Sequence, residues 1–148
     1  MNNYPLHILL ADDDEADRLL FIEAFSELNI KTVVATVNNG FQLMQWLNEK
    51  NIILPHLLFL DLNMSRKSGI ECLKEIRNNE KLKDILIAIY STSNSKKDIE
   101  ETFRNGANIF IHKPANFNIL KQSLQKTINT AYKYKDETMS RENFLLRI

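Results

Sequence analysis

The sequence predicts an α/β fold in which five parallel strands form one doubly wound sheet, with helices covering both of its faces. Three observations predict it. Five short runs of apolar residues occur along the chain, and a segment with apolar residues at helical spacing follows each of them. The runs are almost unbroken, which is typical of strands buried on both faces of a parallel sheet. Polar residues follow four of the five runs, at the strand ends where such a sheet binds its ligands.

The first half of the chain predicts two strand–helix pairs and a third strand. The first helix is expected to begin after Asp14, a good capping residue, and the second after Asn39 in a sequence like a capping box. β-branched residues indicate the second strand. The predicted elements are a strand over Leu6–Ala11, a helix over Glu15–Leu28, a strand over Thr32–Val37, a helix that carries Leu43–Leu47, and a strand over His56–Leu60.

The second half repeats the same cycle twice. Ser68 and Ser95 each stand where a helix cap is expected, and Gly106 stands where a glycine commonly ends a helix. The predicted elements are a helix that begins after Ser68, a strand over Ile85–Tyr90, a helix after Ser95, a strand over Ile109–His112, and a long helix from Phe117 to Ala131.

Length and composition exclude several classes of protein. A chain of 148 residues is the size of one domain. Nineteen basic and 19 acidic residues cancel, so no net charge favours nucleic acid or an anionic membrane surface. The single cysteine, Cys72, cannot form an internal disulfide, and the N-terminus does not resemble a signal peptide. No apolar run approaches the roughly 20 residues of a membrane helix. We therefore expect a cytoplasmic domain that binds neither nucleic acid nor membrane.

Polar side chains at the predicted strand ends point to a site for phosphate chemistry. Asp12 and Asp13 follow the first strand, Asp61 the third, Ser91 the fourth and Lys113 the fifth. The carboxyl ends of parallel strands meet at one edge of a sheet, so these groups are expected to lie together. Clustered carboxylates repel one another, and a hard divalent cation such as Mg²⁺ relieves that repulsion. Each residue alone is more often a cap or a turn residue; their coincidence at four strand ends favours a site.

Four motifs in this order resemble the receiver domain of bacterial response regulators, in the chemotaxis-type single-domain class. The resemblance covers residues 6 to about 131, and it implies a flavodoxin-like fold of the (βα)5 type. The motifs are Ile8–Asp14, Leu58–Met64 with Gly69, Tyr90–Ser93 and Gly106–Pro114.

The resemblance implies a role for each site residue. Asp61 is expected to accept a phosphoryl group from the phosphohistidine of a histidine kinase or phosphotransfer protein. The resemblance also implies that Mg²⁺ is bound by Asp12, Asp13, Asp61 and the main-chain carbonyl of Asn63. It implies that Lys113 contacts the phosphoryl oxygens and that the Ser91 hydroxyl and the Phe110 ring form a switch. It further implies a cis bond before Pro114. The physics agrees, since phosphoryl transfer depends on positioning and charge neutralisation.

The output is expected to be a change of binding surface. The fourth helix offers only Ile99 and Phe103 to a core, which is typical of an element that moves in a switch. We therefore expect a downstream protein to bind the face formed by the fourth helix, the fifth strand and the fifth helix. The receiver domain is predicted over residues 1–133, and residues 134–148 are predicted to be a tail without an output domain. Phe144, Leu145 and Leu146 in that tail are expected to cover the same face or to extend a homodimer contact.

Two other functions fit parts of the pattern. A haloacid-dehalogenase-type phosphatase also uses an aspartate after a strand, but it needs a second carboxylate two residues later, where this chain has Asn63. The other is an interaction module of receiver shape that is never phosphorylated, which is expected to lack the acidic pair, the acceptor or the lysine. The resemblance to receiver domains instead implies a protein that catalyses only its own phosphorylation and dephosphorylation, and is therefore not a turnover enzyme.

Overall fold

The computed structural model describes residues 4–134 and 145–146. Five helices and six strands follow one another along the described chain, and every strand pair is parallel. The elements are β1 (Leu6–Ala11), α1 (Glu15–Ser26), β2 (Thr32–Val37), α2 (Gly40–Leu47), β3 (Leu57–Leu60), α3 (Gly69–Arg77), β4 (Leu86–Ser91), α4 (Lys96–Arg104), β5 (Ile109–His112), α5 (Phe117–Tyr134) and β6 (Leu145–Leu146).

The strands lie in the order β2-β1-β3-β4-β5-β6. The first five confirm the predicted doubly wound parallel sheet. The sixth is a difference from the prediction, because the tail was expected to lie outside the strand–helix pattern. Leu145 and Leu146 pair with Phe110 and Ile111 at the edge of β5 that the other strands leave open. The rest of the tail prediction concerns residues outside the described ranges.

The two faces of the sheet bury two separate cores. One core lies between the sheet and helices α2, α3 and α4, and the other lies between the sheet and helices α1 and α5. Alternate residues of β1 point to opposite cores: Leu9 belongs to the first and Leu10 to the second, and both are fully buried. This double burial explains why the strands are almost continuously apolar in the sequence.

The helix boundaries follow the caps predicted from the sequence. Asp14, Asn39, Ser68 and Ser95 each accept a hydrogen bond from the backbone N–H three residues later. Gly106 has a φ of 98°, a conformation that suits glycine, two residues after α4 ends. The strand and helix ends differ from the prediction by three residues at most: α5 continues three residues beyond Ala131, to Tyr134, and β4 includes Ser91 at its end.

One expectation drawn from the resemblance is contradicted by the described chain. The resemblance implied a cis bond before Pro114, but none of the described residues has a cis peptide bond, so that expectation was wrong for this structure. None of the described helices is both long enough and apolar enough to span a membrane.

The strand order brings the ends of β1 and β3 side by side. The chain leaves β1 for β2 on one side, while β3 and the later strands lie on the other. Such a reversal opens a crevice beyond the carboxyl ends of the strands. The predicted site residues lie at this point.

Candidate phosphoryl and metal site

The backbone holds the two central aspartates at the end of the sheet. Asp12 N–H donates to the Val37 carbonyl at 3.1 Å, and Asp61 N–H donates to the Ala11 carbonyl at 3.1 Å. These bonds continue the parallel ladders one residue beyond β1 and β3. Both carboxylates are therefore carried by a rigid part of the fold, and both residues are buried.

The loop after β3 is shaped around Asp61. Gly69 N–H donates to the Leu62 carbonyl at 2.9 Å, which brings the start of α3 back against the end of β3. A Cβ atom at Gly69 would lie 2.2 Å from the Asp61 carbonyl oxygen, so only glycine permits this approach. Within the loop, Asn63 N–H donates to Asp61 Oδ1 at 3.3 Å. One oxygen of the Asp61 carboxylate is thereby oriented by its own loop.

Lys113 brings one positive charge to three carboxylates. Its ammonium donates to Asp17 Oδ2 at 2.9 Å and to Asp61 Oδ2 at 3.2 Å, and it lies 2.8 Å from Asp12 Oδ2. The Lys113 side chain is only 9% exposed. Lys113 N–H also donates to the Ser91 carbonyl at 2.8 Å, which fixes the lysine backbone next to the end of β4.

Asp12 keeps one carboxylate oxygen without a hydrogen bond. Its Oδ1 accepts from Asp14 N–H at 2.9 Å, whereas its buried Oδ2 accepts no hydrogen bond from any described group. The Lys113 ammonium, although close to that oxygen, approaches as an ion-pair partner at an angle poor for a hydrogen bond. A buried carboxylate oxygen that accepts no hydrogen bond is suited to bind a metal ion.

Three carboxylates converge well enough to hold a divalent cation. Asp12, Asp13 and Asp61 each offer one oxygen, and these oxygens lie within 4.8 Å of one another. Asp13 is exposed while the other two are buried, so the cluster opens to solvent on the side of Asp13. All three ligand atoms are carboxylate oxygens, and a set of negatively charged oxygen ligands fits a hard divalent cation.

The surroundings of the site shift the pKa values of its two central groups. Burial, opposed by the charge of Lys113 and assisted by Asp12, raises the pKa of Asp61 from 3.8 to about 6. Burial alone would lower the pKa of Lys113, but its close contacts with the Asp12 and Asp17 carboxylates and the charge of Asp61 outweigh it and raise that pKa. At neutral pH the site therefore contains an ionised Asp61 carboxylate beside the charged Lys113 ammonium.

The proposed switch residues lie next to the site but do not enter it. Ser91 is buried, and its Oγ accepts from Ser93 N–H at 3.1 Å. Phe110 is 1% exposed and belongs to the core shared with α2, α3 and α4. The resemblance implied a switch through this ring, and in the structure the ring already lies inside the core.

Asp17 is the site residue that the sequence reasoning missed. It lies in the first turn of α1, where an acidic residue ordinarily stabilises the helix N-terminus, and it therefore gave no separate signal. Only the docking of α1 against the end of β5 shows that its carboxylate reaches Lys113. The neighbouring Arg18 donates to the Asp12 carbonyl at 2.9 Å and ties the same helix turn to the site.

Comparison with known proteins agrees with this geometry. Residues 8–125 match the family model described as the response regulator receiver domain. The response regulator Rcp1 of Synechocystis is 30% identical over 128 residues, which covers 84% of this chain and 87% of that protein. A probable methanogenesis regulatory protein, FilR2 of Methanothrix harundinacea, is 28% identical and covers 82% of this chain and 81% of its own.

Solved structures show the same fold. The phosphorylated cyanobacterial phytochrome response regulator RcpA superimposes with a TM-score of 0.79 at 32% identity, covering 93% of this chain and all of that one. The Mn²⁺-bound form of Rcp1 superimposes with a TM-score of 0.77 at 28% identity, covering 92% and 99% of the two chains.

Proposed function

The chain belongs to the response regulator receiver family of two-component systems, and on this premise we propose that Asp61 accepts a phosphoryl group from a histidine kinase or a phosphotransfer protein. The contact between the Lys113 ammonium and Asp61 Oδ2, beside two further carboxylates, is the observation that carries the proposal. It combines an oxygen nucleophile with a fixed positive charge in a site largely shielded from water.

The transfer itself is a substitution at phosphorus. An Asp61 carboxylate oxygen forms a bond to the phosphorus atom while the bond from phosphorus to the donor breaks, and the donor leaves with that electron pair. With an acyl phosphate as donor, the leaving group is a carboxylate and no proton needs to move. Lys113 neutralises part of the negative charge on the phosphoryl oxygens, which is the main demand of this chemistry.

The metal in this proposal is Mg²⁺. Asp12, Asp13 and Asp61 would hold it, together with the main-chain carbonyl of Asn63, two residues after Asp61. When bound, Mg²⁺ supplies charge neutralisation to phosphate oxygens. The buried Asp12 Oδ2, which accepts no hydrogen bond in the described structure, supports this assignment.

The phosphorylated state is read out, in this proposal, at the face of α4, β5 and α5. Ser91 ends β4 on the way to α4, and its hydroxyl must leave the Ser93 N–H before it can turn to the phosphoryl group. Helix α4 buries only Ile99 and Thr102, so moving it disturbs little of the core. Because Phe110 already lies inside, the change would begin with the loop after Ser91 and reach Phe110 through packing.

The proposed product resets itself. An aspartyl phosphate is an acyl phosphate, which water hydrolyses, so the protein acts as a timed switch and not as a turnover enzyme. We place it in the cytoplasm with its kinase, and a homodimer remains a further expectation. The match to the receiver family speaks against a dehalogenase-type phosphatase. The following experiment distinguishes a phosphorylated receiver from a receiver-shaped module that is never phosphorylated.

Incubation with Mg²⁺ and acetyl phosphate, followed by intact mass measurement, tests the proposal. The parent should gain the mass of a single phosphoryl group, and the gain should need Mg²⁺. Asp61→Asn should gain none, while Glu49→Gln, which removes an exposed carboxylate outside the site, should match the parent. An equal gain in Asp61→Asn, or no gain in the parent, would reject it.

A further inference from the structure

Lys113 donates a hydrogen bond to a residue outside the acceptor and the acidic pair, in addition to its 2.8 Å ion pair with Asp12. Asp17 Oδ2 accepts from the Lys113 ammonium at 2.9 Å, compared with 3.2 Å for Asp61 Oδ2. Asp17 comes from α1, whereas Lys113 comes from the end of β5, 96 residues later in the chain. The bond therefore joins two elements that only the fold brings together.

Asp17 differs from the other two partners of Lys113 in an important respect. Asp12 and Asp61 belong to the trio whose oxygens converge, and Asp17 does not. A cation at that trio would draw on the carboxylates of Asp12 and Asp61, and Lys113 contacts both of these carboxylates as well. Among the described residues that contact Lys113, Asp17 is thus the carboxylate that a metal at the trio leaves free to hold the ammonium.

We propose that Asp17 is a positioning residue, which holds the Lys113 ammonium beside Asp61 so that it meets the oxygens of the incoming phosphoryl group. The inference rests on the proposed function. A lysine side chain has four rotatable bonds, and fixing its ammonium in advance removes an entropic cost from the transfer. Asp17 is only partly buried, yet its bond to a buried ammonium is charge-assisted and hence strong.

A purely electrostatic view predicts the opposite result, and this makes the inference testable. Asp17 adds a negative charge close to the site, so its removal alone should help an anionic phosphodonor to approach. If Asp17 positions Lys113, its removal should instead slow the transfer. The sign of the change separates the two views.

Glu15 provides the matched control. It lies in the same first turn of α1, carries the same charge and is exposed to solvent. Glu15→Gln therefore reports the loss of one negative charge at this helix end without the loss of a contact to Lys113. Asp17→Asn keeps an oxygen acceptor for Lys113 but removes the charge, and Asp17→Ala removes both.

The first measurement is the rate of phosphorylation by acetyl phosphate in saturating Mg²⁺, together with the Mg²⁺ dissociation constant. We expect Asp17→Ala to slow the transfer about tenfold, which corresponds to about 1.4 kcal/mol, and Asp17→Asn to slow it less. Glu15→Gln should match the parent or react faster. The Mg²⁺ affinity of Asp17→Ala should remain within about twofold of the parent, since Asp17 is outside the metal trio. A large loss of Mg²⁺ affinity, or a transfer as fast as in the parent, would overturn the inference.

The second measurement needs no phosphorylation. The ¹H–¹⁵N signal of the Lys113 ammonium should be protected from solvent exchange in the parent and in Glu15→Gln, and it should lose this protection in Asp17→Ala. An unchanged signal in Asp17→Ala would overturn the inference. If the parent itself cannot be phosphorylated, the proposed function fails, while this spectrum still decides whether Asp17 holds Lys113.

Discussion

Removing the charge of Asp61 should stabilise the metal-free protein. The carboxylate is held in a buried site next to Asp12, and its pKa is raised from 3.8 to about 6. A carboxyl with a raised pKa is more costly to ionise in the folded protein than in the unfolded chain. Asp61→Asn has nearly the same shape but no charge to bury.

The size of the effect follows from the pKa. A rise of about two units corresponds to about 3 kcal/mol at neutral pH, where Asp61 is ionised in the parent. The measured gain should be smaller, because the site opens to solvent at Asp13 and because Lys113 loses a charged partner. We expect an increase of about 2 kcal/mol in the free energy of unfolding, or about 4–8 °C in Tm for a chain of this size.

The gain should depend on pH with a definite sign. In the parent, the folded protein takes up a proton at Asp61 more readily than the unfolded chain does. Stability from this group is therefore present at low pH and is lost as pH rises from about 4 to about 6. The advantage of Asp61→Asn should be full above pH 6 and should vanish near pH 4.

Urea denaturation in the presence of a chelator measures the effect. Asp13→Asn is the control, since it removes a carboxylate from the same cluster at an exposed position. The prediction is wrong if Asp61→Asn is no more stable than Asp13→Asn at neutral pH, or if its advantage persists at pH 4. Either result would show that the ionised Asp61 carboxylate does not destabilise the folded protein.

Three further predictions concern the metal, the loop and the readout. Asp13→Ala should weaken Mg²⁺ binding at least about tenfold in a calorimetric titration without unfolding the protein, and equal affinity would remove Asp13 from the metal site. Gly69→Ala should lower the free energy of unfolding by about 2–3 kcal/mol in urea, because the added Cβ meets the Asp61 carbonyl oxygen at 2.2 Å; an unchanged midpoint would show that the loop yields easily. Addition of beryllofluoride with Mg²⁺ should change hydrogen exchange mainly within residues 91–112, and changes confined to other segments would show that the readout face is misassigned.

The sequence was sufficient to predict the layers of the fold and the main site residues. Parallel strands buried on both faces have a distinctive apolar pattern, and their polar ends can meet at only one edge. Asp12, Asp61 and Lys113 lie together for this reason. The helix starts were equally predictable, because each depends on a cap within its own three or four residues.

The features that the sequence did not reveal depend on how distant elements dock. Asp17 has the sequence context of an ordinary first-turn acid, and its bond to Lys113 exists only because α1 packs beside the end of β5. The burial of Phe110 likewise depends on the packing of α4 and its neighbours against the sheet. The pairing of Leu145–Leu146 with β5 needs an open sheet edge, which a local pattern of residues does not specify.

The central claim is that Asp61 carries the phosphoryl group, and reduction of the phosphorylated protein with sodium borohydride tests it most directly. Borohydride cleaves an aspartyl phosphate and converts that aspartate to homoserine, which peptide mass spectrometry can locate. After incubation with Mg²⁺ and acetyl phosphate, we expect homoserine at position 61 and at no other aspartate. Homoserine at Asp12, Asp13 or Asp17, or its absence from position 61 in protein that carries a phosphoryl group, would contradict the account.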